Sequence, residues 1–563
     1  MTQRRGKVLV VGLDGATFDL IEPWAEQGYL PTLSKLMQGG ARGRVLSTVP
    51  PMTAPAWTSF ATGTNPGKHG LYDWVARQAG SYRFAPVTSV DNAMPTLFQI
   101  LSDAGRRVCL LNVPMTYPAS RVNGIMISGM PAPDTRGAIS YPADAFAELV
   151  ATVGDYCLYP DPGQAYSDSG IAAFLDRLYR CTELRVRAFD YLRGREDWDF
   201  SMVVFNGTDT VSHALWKVMD AQHPLHDARV AEKYGTAIRD FYSAVDAHLG
   251  RWVDGLDGDT TLVVMSDHGF GPFHKFIHVN NWLLREGFMR LRPIASSRIK
   301  GQLHRMGFSP MNMYDLLMRL GLGGVKREVV RGQGQSLLKA LFLSFEDVDW
   351  PHTVAYSLGN VGQIRVNRTG REPQGCVRAG DEYEALRNEI IAKLMMLRDP
   401  ATGETVVEQA YRREDIYSGE QIEHAPDILF IPRRLEYFGF GEYEFGSHRI
   451  IQPMARGISG THRMYGVFTA FGAGARAGSV IEGARLVDLA PTILHLVGEP
   501  VPAHMDGRVL SEALAADLGP ARVVPSEGGY PRGPEKGHDR GEVLTADEER
   551  ALAERLRSLG YVG

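Results

Sequence analysis

Residues 260–270 read Thr260-Thr261-Leu262-Val263-Val264-Met265-Ser266-Asp267-His268-Gly269-Phe270. The first half is a short apolar, β-branched run after the turn-forming segment Asp254–Asp259, and it reads as a buried strand. The second half sets a carboxylate beside an imidazole where the strand stops. Taken alone, that pair is as consistent with two solvated turn residues as with a metal site. Recurrence decides the matter. Lys7–Gly15, KVLVVGLDG, is a second buried strand, ending in Asp14. Asp199–His213, DFSMVVFNGTDTVSH, is a third, ending in Asp209 with His213 four residues on. Ligands of open α/β sheets bind outside the carboxyl ends of parallel strands. Three such strands bring Asp14, Asp209, His213, Asp267 and His268 to one edge, which is the outline of a di-metal site.

The segments between these strands are helical. Ser169–Arg193 is amphipathic and feeds the Asp209 strand; Ala228–Val253 reads as one amphipathic helix feeding the Asp267 strand. Helices are also expected at Thr17–Glu26, Leu30–Leu36 and Pro95–Gly105, with strands near Gly43–Ser47 and Arg107–Asn112. This alternation predicts an α/β fold: a doubly wound, mostly parallel sheet with helices on both faces. The loop from Val49 to Gly70 is unusual. Pro50 and Pro51 fix its start, Pro55 marks the first turn of a helix running to about Thr62, and Thr53 falls at the N-cap. Backbone N–H groups and the helix dipole there attract an anion and help ionise a hydroxyl. A plain capping threonine is the alternative.

The character changes after His278. Arg285–Arg331 carries ten Lys/Arg against Glu286, Asp315 and Glu328, and reads as a broken helical insertion over the strand-end edge. Its readings are a basic lid for an anionic substrate, a contact with an acidic membrane surface, or a solvated surface segment. Strand character at Val354–Val366, a helix at Glu382–Leu397 and a strand at Asp427–Ile431 returning to the core follow. Near the C-terminus, Gly460-Thr461-His462 precedes a strand at Tyr465–Phe471 and a helix at Leu486–His495 with Pro491 in its first turn; 519–541 reads as a linker and Thr545–Leu559 as a charged helix. The expected division is a catalytic core at 1–280 and 421–515, an inserted cap at 281–420, and a linker and terminal helix at 516–563.

A net charge of −5 argues against a general nucleic-acid binder. Cys109, Cys157, Cys181 and Cys376 are scattered, which predicts neither a zinc finger nor a disulfide framework and suits a reducing compartment. No run reaches the ~18 apolar residues of a membrane span. The first strand begins directly after MTQRRG, and the expected location is cytoplasmic.

Together the motifs resemble the alkaline phosphatase superfamily, and within it the soluble bacterial and archaeal branch of the type I phosphodiesterase/nucleotide pyrophosphatase family. The resemblance rests on GLDG, the TAPAWTSFATG loop with NPGKHG, DTVSH, SDHG and GTH in that order, and on the late DLAPTILHLVGEPVPAHMDGRVL. It implies two divalent metal ions, usually zinc, with manganese or iron in some relatives. Asp14, Thr53, Asp267 and His268 would hold one; Asp209, His213 and His462 would hold the other. It also implies Thr53 as nucleophile, a phosphothreonine intermediate, and a small anionic phosphoester as substrate. His448, in a similar Gly-Ser-His-Arg, fits the family order less well than His462. His69 and His274 match no ligand position. Eukaryotic nucleotide pyrophosphatases carry an Asn after the His-Gly of this loop and another three residues past the nucleophile; the positions here fall at Trp74 and Ala56. Another group must then bind the phosphate oxygen, and Asn112, Asn206 and Lys68 are candidates. Phosphodiester hydrolysis is the first reading, phosphomonoester hydrolysis the second, and a non-catalytic metal-binding homologue a remote third.

Overall fold

In the computed structural model, residues 6–160, 162, 165, 168–313, 341–441, 445–454, 457–525 and 544–558 are described. The apolar runs form the central sheet. Its strands are β1 Lys7–Leu13, β2 Ala41–Leu46, β3 Val108–Val113, β4 Gly124–Ser128, β5 Ser140–Tyr141, β6 Phe200–Phe205, β7 Thr260–Met265, β8 Tyr465–Gly472 and β9 Val480–Arg485, in the order β9-β2-β8-β7-β1-β6-β3-β4-β5. All run parallel except β5 and β8.

Alternation along each strand explains why the runs are continuously apolar. Leu9, Val11, Val203, Phe205, Leu262 and Val264 face one layer, with the helices Ile171–Arg193, Gly207–Met219 and Ala237–Asp254. Val8, Val10, Met202, Val204, Val263 and Met265 face the other, with Thr53–Thr62, Leu97–Asp103 and Leu489–Val497. A strand covered on both faces has no polar side to show. The fold is therefore the expected α/β sheet with helices on both faces.

The helix Pro31–Gly39 has no side-chain cap of its own. Asp246, on a different helix, caps it: its carboxylate accepts from Thr32 N at 2.9 Å and Leu33 N at 2.7 Å. Asp246→Ala strips both amides of their acceptor inside the core, and unfolding should show a loss of about 1–3 kcal/mol; an unchanged denaturation midpoint would argue against this role.

Several expectations need correction. Ala228–Val253 is two helices, Ala228–Tyr234 and Ala237–Asp254, because Gly235 ends the first. Val354–Val366 is three short strands, broken at 357–358 and again at Val361 and Gly362, which both take positive φ. The strand Ile428–Pro432 does not return to the central sheet. It lies in a four-stranded sheet with Ala355–Tyr356, Gln363–Val366 and Val407–Arg412, beside another formed by Gly359–Asn360, Tyr437–Gly441, Lys275–His278 and Ile451–Pro453. Cys157 and Cys181 form a disulfide, with Cα atoms 5.1 Å apart. The chain folds back there onto the helix Ile171–Arg193, where Arg185 donates to the carbonyls of Cys157 and Leu158 at 3.1 and 2.8 Å. This bridge removes the cysteine argument for a reducing compartment.

Of the basic insertion, the helices Val279–Arg285 and Ala295–Arg305 are described; Arg319, Lys326, Arg327 and Arg331 lie outside the described residues, as does most of the expected linker. The terminal helix is Ala546–Ser558, and it buries Leu552 and Leu556 in the main core. No helix among the described residues is long and apolar enough to cross a membrane.

Candidate metal centre and nucleophile

Register sets the site. Leu13 pairs with Phe205, and Gly12 with Met265, so Asp14, Asn206 and Asp267 stand at one level just past the strand ends. Two close approaches depend on glycine. A Cβ on Gly12 would sit 2.5 Å from the Trp57 ring, and Gly15, at φ 66°, turns its N–H to Asp267 Oδ1 at 3.3 Å. Ser266 Oγ donates to Ala16 O at 2.7 Å and accepts from Val467 N at 2.8 Å, which ties the two loops to β8.

Two triads result. In one, ligand atoms of Asp14, Asp267 and His268 lie within 4.8 Å of one another. His268 Nε2 is 3.2 Å from Asp267 Oδ2 and 3.7 Å from Asp14 Oδ1. In the other, Asp209, His213 and His462 are equally close: both Nε2 atoms lie 3.3 Å from Asp209 Oδ1 and 3.1 Å from each other. The His268 and His462 rings stack at 3.6 Å and join the triads. All six residues are buried. His462 is thus gathered with the others. His448 is not, and instead meets Asn312 Nδ2.

The histidine tautomers follow from the backbone. Nδ1 of His213, His462 and His268 faces the carbonyl oxygen of Gly460, Pro51 and Gly269, at 2.8, 2.8 and 3.1 Å. Only an N–H satisfies a carbonyl, so each Nδ1 carries the proton and each Nε2 turns a lone pair to the cluster. Two such nitrogens 3.1 Å apart, against a carboxylate oxygen, repel one another unless a cation lies among them. The carboxylates give the same message. Burial first, then the charges of Asp267 and Asp209, pushes Asp14 well above the usual carboxylate range. Burial, with Asp209 adding to it, pushes Asp267 up to about 8 against the hydrogen bond from Gly15. Burial holds the His268 and His462 imidazoles below their ordinary value. Asp14 Oδ1 and Asp267 Oδ2 are buried with no hydrogen-bond donor. Carboxylate oxygens and imidazole nitrogens in this mixture fit divalent cations.

Thr53 is the first residue of the helix Thr53–Thr62, with Met52 at the N-cap, one position off the expectation. It is fully buried, and its Oγ1 lies 3.4 Å from His268 Nε2. No side chain caps this helix, and Pro55 has no N–H, so the amides of Thr53 and Ala54 remain as donors beside the hydroxyl.

The remaining candidates separate. Lys68 Nζ is engaged by Asp506 Oδ1 at 2.5 Å and His504 O at 2.8 Å, past the opposite end of the Thr53–Thr62 helix, and is not brought to the triads. Trp74 is wholly buried in the main apolar core. Asn206 Oδ1 accepts from Arg185 Nη1 at 2.7 Å. Asn112 sits at the sheet edge with φ 59°; its Nδ2 donates to Val204 O at 3.0 Å, and its unpartnered atom is the acceptor Oδ1. His69 meets Ser59 Oγ at 2.9 Å and His274 pairs with Glu436 at 3.7 Å, both away from the triads. Sequence reasoning missed Trp57, whose Nε1 donates to Asp14 Oδ2 at 3.3 Å, and Pro51 and Gly460, which act through their carbonyls. Trp57 sits four residues past Thr53, next to the glycine of GLDG, and that small residue was the available signal.

The chain is similar to several known proteins. The phosphonoacetate hydrolase of Sinorhizobium meliloti 1021, solved with phosphonoformate, shares the fold: TM-score 0.51 at 16% identity, covering 88% of this chain and 95% of that one. Human ectonucleotide pyrophosphatase / phosphodiesterase 5 aligns with a TM-score of 0.47 at 13% identity, over 90% of this chain and 99% of that one. A 2,3-bisphosphoglycerate-independent phosphoglycerate mutase of Shewanella amazonensis is 57% identical over 35 residues, so the match spans only 7% of that protein's length. The family model described as type I phosphodiesterase / nucleotide pyrophosphatase matches residues 8–444. The chain belongs to the type I phosphodiesterase / nucleotide pyrophosphatase family.

Proposed function

We propose that this phosphoryl hydrolase cleaves phosphodiester or pyrophosphate bonds of small anionic substrates through a phosphothreonine on Thr53. The observation that supports it most is the convergence of the Nε2 atoms of His213, His268 and His462 with three buried carboxylates beside the Thr53 hydroxyl. Asp14, Asp267 and His268, with Thr53, would hold one divalent ion, and Asp209, His213 and His462 the other. Zinc suits this donor set best, and manganese is the alternative the same donors accept. Such ions supply the positive charge that lets a hydroxyl ionise and that neutralises phosphoryl oxygens.

The chain's own groups do the rest. Thr53 Oγ1 loses its proton and forms a bond to phosphorus as the bond to the leaving oxygen breaks. The Thr53 and Ala54 amides donate toward the developing charge at the helix start. Water then attacks the phosphothreonine, the P–Oγ1 bond breaks and Thr53 is regenerated, with overall retention at phosphorus. The Pro51, Gly269 and Gly460 carbonyls keep the three imidazoles in one tautomer throughout.

The test is hydrolysis of bis-p-nitrophenyl phosphate against p-nitrophenyl phosphate, after chelator dialysis and with zinc or manganese restored. The expected result is a diester preference of at least about tenfold in kcat/KM, lost on chelation and recovered with metal. A monoester preference would replace the diesterase reading with a phosphatase. No turnover of either ester by metal-loaded protein would favour a non-catalytic homologue.

A further inference from the structure

A cavity of 1280 Å³ lies among the helices Val279–Arg285 and Ala295–Arg305 and the segments 397–401 and 448–453, and shares no lining residue with the two triads. On the helix Ala295–Arg305, the lining residues Arg298, Gly301, Gln302 and Arg305 recur at i, i+3, i+4 and i+7, so one helix face forms a wall. Arg285, Arg292, Arg398 and Arg449 extend the lining from four other segments. Among the described residues, none of these six guanidinium groups is paired with a carboxylate. The lining carboxylate, Asp399, is already taken by Lys275 and by Tyr437 OH at 2.9 Å. In a chain of net charge −5, such a concentration of cations is a local feature that needs its own account.

A second observation points to a ligand. His304 lines the cavity and is 4% exposed. Asn281 Nδ2 donates to Ser447 O and Arg449 O, which turns the amide oxygen to His304 Nε2 at 3.2 Å. That nitrogen therefore carries the proton, and Nδ1 is left as a buried acceptor with no partner. Arginine forks match phosphate oxygens two at a time. A terminal phosphate monoester offers such forks one more oxygen and more charge than a diester.

We propose that this cavity is a second anion site, distinct from the metal centre, for a small polyanion bearing at least two phosphate groups, one of them a terminal monoester. Such chemistry comes either from a free polyphosphorylated metabolite or from a phosphoinositide headgroup. The volume is above the ordinary range for a drug-sized ligand, about 300–1,000 Å³, and leaves room for hydrating water.

The experiment titrates inositol hexakisphosphate into the full-length, metal-loaded protein by calorimetry at about 0.15 M salt. Sedimentation with phosphatidylcholine vesicles, with and without phosphatidylinositol bisphosphate, runs in parallel. The variants are R298E/R305E and the milder R298Q/R305Q, each checked by thermal melt. The expected result is binding that weakens at least about tenfold in both variants, while bis-p-nitrophenyl phosphate turnover without probe is retained. Binding of the free probe alone identifies a soluble ligand, and binding of the phosphoinositide vesicles identifies a headgroup; either supports the site. Binding unchanged in both variants, binding abolished by Asp209→Ala but not by the arginine changes, or no binding from either source would overturn it. Turnover is read separately, so failure of this site leaves the catalytic reading standing.

Discussion

Thr53→Ala should lower kcat for the preferred ester by at least about a thousandfold while leaving the protein folded and its metal content near that of the wild type. The removed hydroxyl makes one contact among the described residues, 3.4 Å to His268 Nε2, so its loss costs the fold no more than about 1 kcal/mol. Asp14, Asp267 and His268 remain to hold the cation. Elemental analysis of the variant therefore separates two explanations of inactivity: a missing nucleophile leaves metal in place, whereas a disrupted site loses it. Thr53→Ser keeps an oxygen in the same position and should retain part of the rate. Full activity in Thr53→Ala would refute the phosphothreonine.

The second large effect lies beside the pair of four-stranded sheets outside the central one, a cap that takes in Asp427 from beyond the expected 281–420. Asp427 is wholly buried and accepts from Arg371 Nη1 at 2.8 Å and Nη2 at 2.6 Å, from Tyr383 OH at 2.6 Å and from Val366 N at 2.7 Å. Asp427→Ala leaves the Arg371 guanidinium with Glu372 as its remaining carboxylate, strips Tyr383 OH and Val366 N of their acceptor, and should destabilise the cap by about 1–3 kcal/mol. Denaturant unfolding monitored by tryptophan fluorescence, to which Trp282 and Trp350 of this cluster contribute among the eight tryptophans of the chain, reads the loss. The pH dependence has a definite sign. Burial raises the Asp427 carboxyl, but the charge and hydrogen bonds of Arg371 outweigh it and hold the group well below the usual range. A depressed carboxyl contributes stability that is fully present above its unfolded value of about 3.9 and lost as pH falls through the folded value. Wild-type cap stability should therefore drop below about pH 4, and Asp427→Ala should remove that part of the acid sensitivity. Equal acid sensitivity in both proteins would mean another group is responsible.

How far the sequence carried depends on the kind of interaction. The strands were legible because a strand covered on both faces must be apolar throughout, and Asp14, Asp209 and Asp267 were legible because a carboxylate at the end of such a run is out of place. Choosing His462 over His448 needed the order of motifs, since both occur in a Gly-Ser/Thr-His-Arg setting. What stayed hidden acts through the backbone or through distance. Nothing in a side-chain pattern announces that the Pro51 and Gly460 carbonyls accept from histidines far along the chain. Strand character at Ile428–Pro432 is plain, but a run of five apolar residues does not say which sheet it joins. The Cys157–Cys181 bridge depends on a chain reversal around Arg185, which spacing alone does not encode.

Sheet order has a consequence for how the protein comes into being. Strand β2 is bonded only to β8 and β9, and β8 also covers the open side of β7. A strand from near the start of the chain must wait for partners from near its end. Until then the growing polypeptide carries an unpaired β2, an uncovered β7 edge and a metal site that lacks His462, a state prone to pairing with other chains. Folding dominated by such distant pairings is slow. Any product ending before Tyr465 keeps that exposed state permanently, so premature termination anywhere in the cap yields an aggregating fragment rather than a shorter enzyme.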